Sequence, residues 1–311
     1  MKTADKIELF NSDGSSKGYY SSKNRLNNLT GREWVYWSKS VITNPYPPNL
    51  QHKLRSEHGA QKPPDLCADL IRLFTKEGDL VLDPLAGVGG TLLGAGLSHR
   101  RAIGIEINSR WIEIYREVCS RESIDEQRMI LGDSSQELEK LAETGVTADF
   151  ILTDVPYWKM DKVPKSKGKY KRFGESSRDN RQSKLTPFNP VGYLTKEEWL
   201  GKMRIIFSRA IRLLKRGRYL AVFIGDMYNQ GEYHFLTADM AGDLRELGLT
   251  MKANLTWYDG SKSLHVYGYL YEYIPSLIHQ NILIFRKESE WISPHRFERF
   301  LPKRNRAVKT E

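Results

Sequence analysis

The chain has 311 residues, enough to bury the core of one large α/β domain or of two small ones. Lys and Arg outnumber Asp and Glu by 48 to 38, and the resulting charge of +10 implies attraction to a polyanion, nucleic acid first. No apolar run reaches the roughly eighteen residues of a membrane span, the start MKTADKIELF lacks an apolar signal core, and Cys67 and Cys119 have no partner at metal-ligand spacing. A cytoplasmic protein with no membrane segment, disulfide scaffold or metal is expected.

Residues 1–30, with NSDGSSKGYYSSKN, show no hydrophobic period and read as a flexible arm. A single domain is expected over residues 31–288. It begins with GREWVYWSKSVITNPYPPN, whose Pro45, Pro47 and Pro48 favour extended chain anchored by Trp34 and Trp37. From Pro63 the spacing of Leu66, Leu70, Leu73 and Phe74 predicts a helix that Gly78 ends. A strand at Val81 then leads into Asp83-Pro84 and a glycine cluster, a helix, a strand over Ala102–Ile105, a helix from about Ser109 to Arg121, and a short strand Met129–Leu131 closing on Gly132-Asp133.

A fourth strand, Phe150–Thr153, runs into Asp154-Val155-Pro156-Tyr157-Trp158. Residues 159–185 then break the pattern, with ten basic residues against three acidic ones and almost nothing apolar. A helix from about Lys196 to Leu214, a strand Tyr219–Ile224 and a helix Thr237–Leu247 restore the alternation. The last runs, Met251–Tyr258 and Asn281–Phe285, flank a Gly- and Tyr-rich loop at residues 259–275 and read as an antiparallel hairpin. Residues 289–311 form a basic tail. The fold expected is α/β, a doubly wound, mostly parallel seven-stranded sheet with a C-terminal antiparallel hairpin.

In such a sheet, ligands bind beyond the carboxyl ends of the strands. Asp83 to Gly90, Glu106, Asp133 and Asp154 to Tyr157 all fall at such ends. Gly87, Gly89 and Gly90 would let the backbone approach an adenosine-type cofactor, and Glu106 would grip ribose hydroxyls. A nicotinamide fingerprint wants a further glycine or alanine where Leu92 stands, and Asp83 suits an amino group better than phosphates. That combination points to S-adenosylmethionine, with Asp133 toward the adenine amino group or serving as a helix cap. His52 and His58 are expected in the surface or core rather than on a metal.

With these residues in place the chain resembles bacterial amino-group DNA methyltransferases, which act on adenine N6 or cytosine N4. The resemblance rests on Lys62-Pro63-Pro64-Asp65-Leu66 leading into Gly78–Pro84, on Glu106, Asp133 and the Asp154 tetrapeptide in that order, and on the closing run His279–Lys287. It covers roughly Trp34 to Lys287 and puts the cofactor half before the catalytic half. It implies a Rossmann-like class I methyltransferase fold, and a cofactor site of Lys62, Pro63, Asp83, Pro84, Leu85, Ala86, Gly87, Gly89, Gly90, Thr91, Glu106, Ile107 and Asp133. The family tetrapeptide is Asp, Asn or Ser, then Pro-Pro and an aromatic residue, so Val155 replaces its first proline. Carried over, the tetrapeptide with Pro156 is catalytic: Asp154 and the carbonyl of Val155 would accept hydrogen bonds from the target amino group, and Tyr157 would stack on the base. Valine keeps the carbonyl but loses the rigid φ and adds an N–H that needs a partner.

The resemblance also implies double-stranded DNA as substrate, with the target base flipped out. Trp158 would add stacking surface, and Lys159, Lys165, Lys167, Lys169, Lys171, Arg172, Arg178 and Arg181 would contact phosphates. Asp154 in the leading position favours adenine N6 over cytosine N4. Cytosine C5 chemistry needs a cysteine after proline, whereas Leu66 and Val118 precede the two cysteines. A catalytically impaired DNA-binding relative and an RNA or protein amino-group methyltransferase remain as alternatives. A cognate restriction nuclease is the partner class the family suggests, with the chain a monomer or homodimer.

Overall fold

The computed structural model describes residues 5–156, 158, 195–229, 231–260, 262, 264, 266, 268 and 270–288. The chain opens with an antiparallel hairpin, β1 (Lys6–Phe10) and β2 (Ser16–Ser21), where the sequence reading expects a flexible arm. Gly14, at φ 79°, provides the turn, and a hairpin that buries so little has no need of a hydrophobic period. It is followed by the fully buried Asn27, whose Nδ2 donates to the Leu73 carbonyl at 2.6 Å.

Thr30 and Glu33 form a capping box that starts α1 (Gly31–Trp37), again where extended chain is expected. The prolines that argue against helix all come after its last residue. Trp37 packs against the core, but Trp34 is 46% exposed and anchors nothing. Two residues then make β3 (Val41–Ile42), followed by α2 (His52–Arg55), one 3-10 turn (Ser56–His58) and α3 (Pro64–Phe74).

Alternation follows through β4 (Leu80–Asp83), α4 (Gly90–Leu97), β5 (Arg101–Glu106), α5 (Ser109–Glu122), β6 (Arg128–Leu131), α6 (Ser134–Glu143) and β7 (Ala148–Asp154). The sequence reading assigned no helix to α6, whose buried face amounts to Ser134, Leu138 and Leu141. The chain resumes with α7 (Lys196–Leu213), β8 (Leu214–Ile224), a small hairpin of β9 (Met227–Asn229) and β10 (Glu232–His234), α8 (Leu236–Glu246), β11 (Thr250–Tyr258) and β12 (His279–Arg286). The basic segment 159–185 and the tail 289–311 lie outside the described residues.

The central sheet has the order β3-β11-β12-β8-β7-β4-β5-β6. Pairing is parallel from β8 through β7, β4, β5 and β6, while β12 runs antiparallel to both β8 and β11. The closing hairpin is thus present, and its later strand is inserted between the earlier one and the parallel sheet. Eight strands replace the seven expected. The extra one, β3, joins only through Val41 and Ile42 against Thr256 and Trp257, too short a stretch to show a period.

Both faces of the sheet are covered, which is why its strands read as continuous apolar runs. Val81, Phe150, Leu152, Phe223, Ile282 and Ile284 face one cluster with α3, α4 and α5. Their neighbours Leu82, Ile151, Val222, Leu283 and Phe285 face the other, with α6, α7 and α8. From β4 the chain winds outward to β5 and β6, then crosses back to place β7 on the other side of β4. The switch point therefore lies between β4 and β7, at the carboxyl ends marked by Asp83 and Asp154.

Close approach fixes how the cofactor-loop side packs. A Cβ on Gly104 of β5 would lie 2.8 Å from both Ala86 Cβ and Leu92 Cδ1. Gly104→Ala is expected to lower stability by about 1–3 kcal/mol through overpacking, read as a lower urea midpoint with unchanged slope.

Candidate active site

The loop after β4 is held by buried carboxylates. Asp83 is 3% exposed, and its Oδ1 accepts from the Leu85 N–H at 3.0 Å and from the Thr153 hydroxyl at 2.7 Å. Burial pushes the Asp83 carboxyl up to about 6, against the opposing hydrogen bonds from Thr153, Thr91 and Leu85. The Pro84 carbonyl accepts from the Ser134 hydroxyl, which ties the loop to the start of α6.

Glu106, at the end of β5 and 9% exposed, divides its two oxygens. Oε2 accepts from the Gly87 N–H at 2.8 Å and Oε1 from the Asn108 N–H at 2.8 Å. Burial raises its carboxyl, and those two N–H groups oppose the rise. A carboxylate offers about four lone-pair sites, so each oxygen keeps acceptor capacity for a hydroxyl.

Two of the three loop glycines have no alternative. Gly89 has φ 77°, and a Cβ there would lie 2.3 Å from the Tyr115 ring, which is fully buried. Gly87 has φ 52°, with His58 Nε2 3.2 Å from its would-be Cβ. Gly90 opens α4 against the Lys62 carbonyl, 3.0 Å from its would-be Cβ, and Thr91 is buried behind it. Pro63 is the cap of α3, whose first residue, Pro64, suits a helix start. Ile107 stands 61% exposed beside Glu106. Asp133 is an exposed cap of α6, with Oδ1 accepting from the Ser135 N–H at 2.8 Å. The cap alternative for Asp133 is therefore the geometry observed.

Across the switch point, β7 delivers Asp154. Its Oδ2 pairs with Lys62 Nζ at 2.5 Å, and its Oδ1 is buried without a hydrogen-bond partner among the described residues. Lys62 is 7% exposed, so the resemblance's cofactor residue has its amine on the tetrapeptide instead. The N–H that valine adds finds a partner, since Val155 donates to the Phe223 carbonyl at 3.4 Å. The Val155 side chain is buried in the core, and the Pro156 carbonyl accepts from the Trp199 indole at 2.7 Å. Tyr157 lies outside the described residues.

Trp158 corrects the reading of a stacking surface for DNA. It is only 8% exposed, packed in the core beneath α7 and α8 and edge-on to His234 at 4.9 Å. An aromatic ring beside an apolar cluster gains more from burial than from a wet rim. Lys159, Lys165, Lys167, Lys169, Lys171, Arg172, Arg178 and Arg181 lie outside the described residues.

Sequence reasoning gave no role in this site to three of its supports. Arg55 is 1% exposed and donates to the carbonyls of Leu50 at 2.8 Å and Asn49 at 2.9 Å, with Lys62 at 3.5 Å, fixing the segment that presents Lys62. His58 sits over the glycine loop and edge-on to Trp111 at 5.0 Å. Trp199 holds Pro156 from α7. The only sequence signal was residue type, a lone Arg and Trp inside otherwise ordinary segments. Both thiols are buried, and burial pushes Cys67 up to about 12. No described helix is long and apolar enough to cross a membrane.

A carboxyl whose value is raised on folding destabilises the folded state as pH climbs from the unfolded value to the folded one. Asp83→Asn should therefore gain stability relative to the parent between about pH 4 and 6, by about 1–3 kcal/mol, and hold that difference above. Thermal unfolding of both proteins across that range checks the sign, and a gain by the parent would refute the burial argument.

A family model described as DNA methylase matches residues 2–117, which include Lys62, the glycine loop and Glu106. The orphan methyltransferase M.BamHII of Bacillus amyloliquefaciens is 29% identical over 130 residues, 40% of this chain and 49% of that protein. The type II methyltransferase M.HindIII of Haemophilus influenzae is 38% identical over 105 residues, 30% of this chain and 34% of that protein. The tRNA (guanine(10)-N2)-dimethyltransferase of Methanothermobacter thermautotrophicus is 33% identical over 132 residues, 42% of this chain and 38% of that protein. The chain thus spans half or less of the length of these curated relatives. Residues 2–117 thus match the DNA methylase model, and the residues that carry the resemblance, from Lys62 and the glycine loop to Glu106 and Asp154, stand around one switch point.

Proposed function

We propose that this chain transfers a methyl group from S-adenosylmethionine to the exocyclic amino group of a base in DNA, adenine N6 ahead of cytosine N4. One observation carries the reading: Asp154 Oδ1, buried and unpartnered among the described residues, stands at the switch point next to the glycine loop. A buried acceptor left without a donor is costly, and a substrate N–H is the donor such a site awaits.

The donor set fits the cofactor. Glu106 would take the ribose hydroxyls with its remaining lone pairs, the backbone from Gly87 to Gly90 allows the close approach, and Ile107 offers an apolar surface to adenine. Asp83 supports the loop from beneath. S-adenosylmethionine would supply an electrophilic methyl on sulfonium, so the protein's task is position and electrostatics. Asp154 Oδ1 would accept one amino N–H, which keeps the nitrogen lone pair out of the ring and aimed at the methyl. The target nitrogen would take the methyl as the C–S bond breaks with its electron pair left on sulfur, and the amino proton would pass to solvent water.

Val155 supports an active site over an impaired one. Its N–H is paired and its side chain buried, so loss of the family proline leaves no orphan donor behind. Asp at position 154 favours adenine, and a flipped base in duplex DNA is the substrate form that such a recessed acceptor requires. RNA is the second reading, favoured by the similarity to the tRNA-modifying relative.

The test is isotopically methyl-labelled S-adenosylmethionine with duplex DNA, and RNA in parallel, followed by digestion and mass spectrometry of nucleosides. Label in N6-methyladenine is expected, label in N4-methylcytosine would reassign the base, and label in RNA alone would reassign the substrate. Asp154→Ala should lower turnover by at least about 100-fold, and Val155→Pro should stay within about threefold of the parent.

A further inference from the structure

Among the described residues Lys62 is the one cation paired with Asp154, and it reaches that acid from the segment before α3, not from the strand that carries it. The ammonium holds Oδ2 and lies 5.4 Å from the ring centroid of the fully buried Phe223, whose carbonyl takes the Val155 N–H. Oδ1 is thereby left as the one unpaired oxygen. The Lys62 backbone meanwhile rests on the cofactor loop, its carbonyl 3.0 Å from the would-be Cβ of Gly90 and within reach of buried Arg55. One residue thus touches the loop with its main chain and the catalytic acid with its side chain.

We infer that Lys62 is a positioning residue for methyl transfer: its ammonium locks the Asp154 carboxylate so that Oδ1 alone faces the target amino group, in fixed register with the glycine loop. This rests on the proposed function and departs from the cofactor-binding role that the resemblance implies for Lys62. Without the ammonium the carboxylate can rotate, and its second oxygen competes for the same donor. Buried Arg55, bonded to three carbonyls of the segment from Asn49 to Lys62, supplies the rigidity that keeps the amine in place.

The experiment has one arm that needs no substrate and one that does. In thermal unfolding, Lys62→Met should lower the midpoint by roughly 5 °C, because it strands a largely buried carboxylate. Asp154→Asn introduced into that variant should restore most of the loss, whereas equal effects of Asp154→Asn in both backgrounds would overturn the pairing. In the second arm, calorimetry with S-adenosylmethionine should give Lys62→Met an affinity within about threefold of the parent while turnover at saturation falls about 100-fold, and Lys62→Arg should recover to within about tenfold. Loss of cofactor affinity with unchanged saturated turnover would return Lys62 to the cofactor site and overturn the inference. A parent protein that methylates neither DNA nor RNA would sink the proposed function, while the stability cycle would still decide whether Lys62 and Asp154 are coupled.

Discussion

The parallel pairing of β4 with β7 is the constraint on which this molecule depends. Only Val81 against Phe150 and Leu82 against Ile151 are in register, yet that contact sets two carboxyl ends side by side. The Thr153 hydroxyl then closes on Asp83 at 2.7 Å, a buried hydrogen bond between residues far apart in sequence. A parallel neighbour can be reached only by a crossover, and the crossover here reverses the winding direction. The crevice that results is where the proposed function would set a cofactor against a base.

Within that crevice the division of labour follows from burial. Asp83 and Glu106 are nearly inaccessible, and both spend acceptor capacity on loop N–H groups, Asp83 on Leu85 in its own loop and Glu106 on Asn108 and on Gly87 in the loop after β4. They shape the backbone first. The glycines answer to their neighbours as much as to a cofactor: Tyr115 occupies the space a side chain on Gly89 would need, and His58 crowds Gly87. Loop, helix α5 and the segment before α3 are therefore one packed unit, and a ligand would meet a preformed surface.

The tetrapeptide is anchored from three directions. Lys62 takes one oxygen of Asp154, Phe223 takes the N–H of Val155, and Trp199 gives its indole proton to Pro156. Proline at this position would stiffen the turn through its ring, whereas here the Val155 N–H bonds to β8 and the valine side chain is buried.

The sequence by itself determined the alternation of strands and helices, the glycine loop and the acids at the strand ends. Each of these is a local signal: apolar runs need two covered faces, a tight loop needs glycine, and strand ends expose what terminates them. It also carried enough pattern for a resemblance to amino-group DNA methyltransferases to be stated before any contact was known. Where local signals were thin the reading failed, as in the hairpin before residue 22, the helix Gly31–Trp37 and the two-residue strand β3, all too short or too exposed for a hydrophobic period. Tertiary structure alone decided which groups meet. That Lys62 reaches Asp154, that Trp158 turns inward to His234, that Asp133 caps its own helix and that Arg55 braces a loop are outcomes of packing between segments distant in sequence. No residue type or spacing encodes such partners, because a buried charge or ring takes its partner from whatever the fold brings within reach.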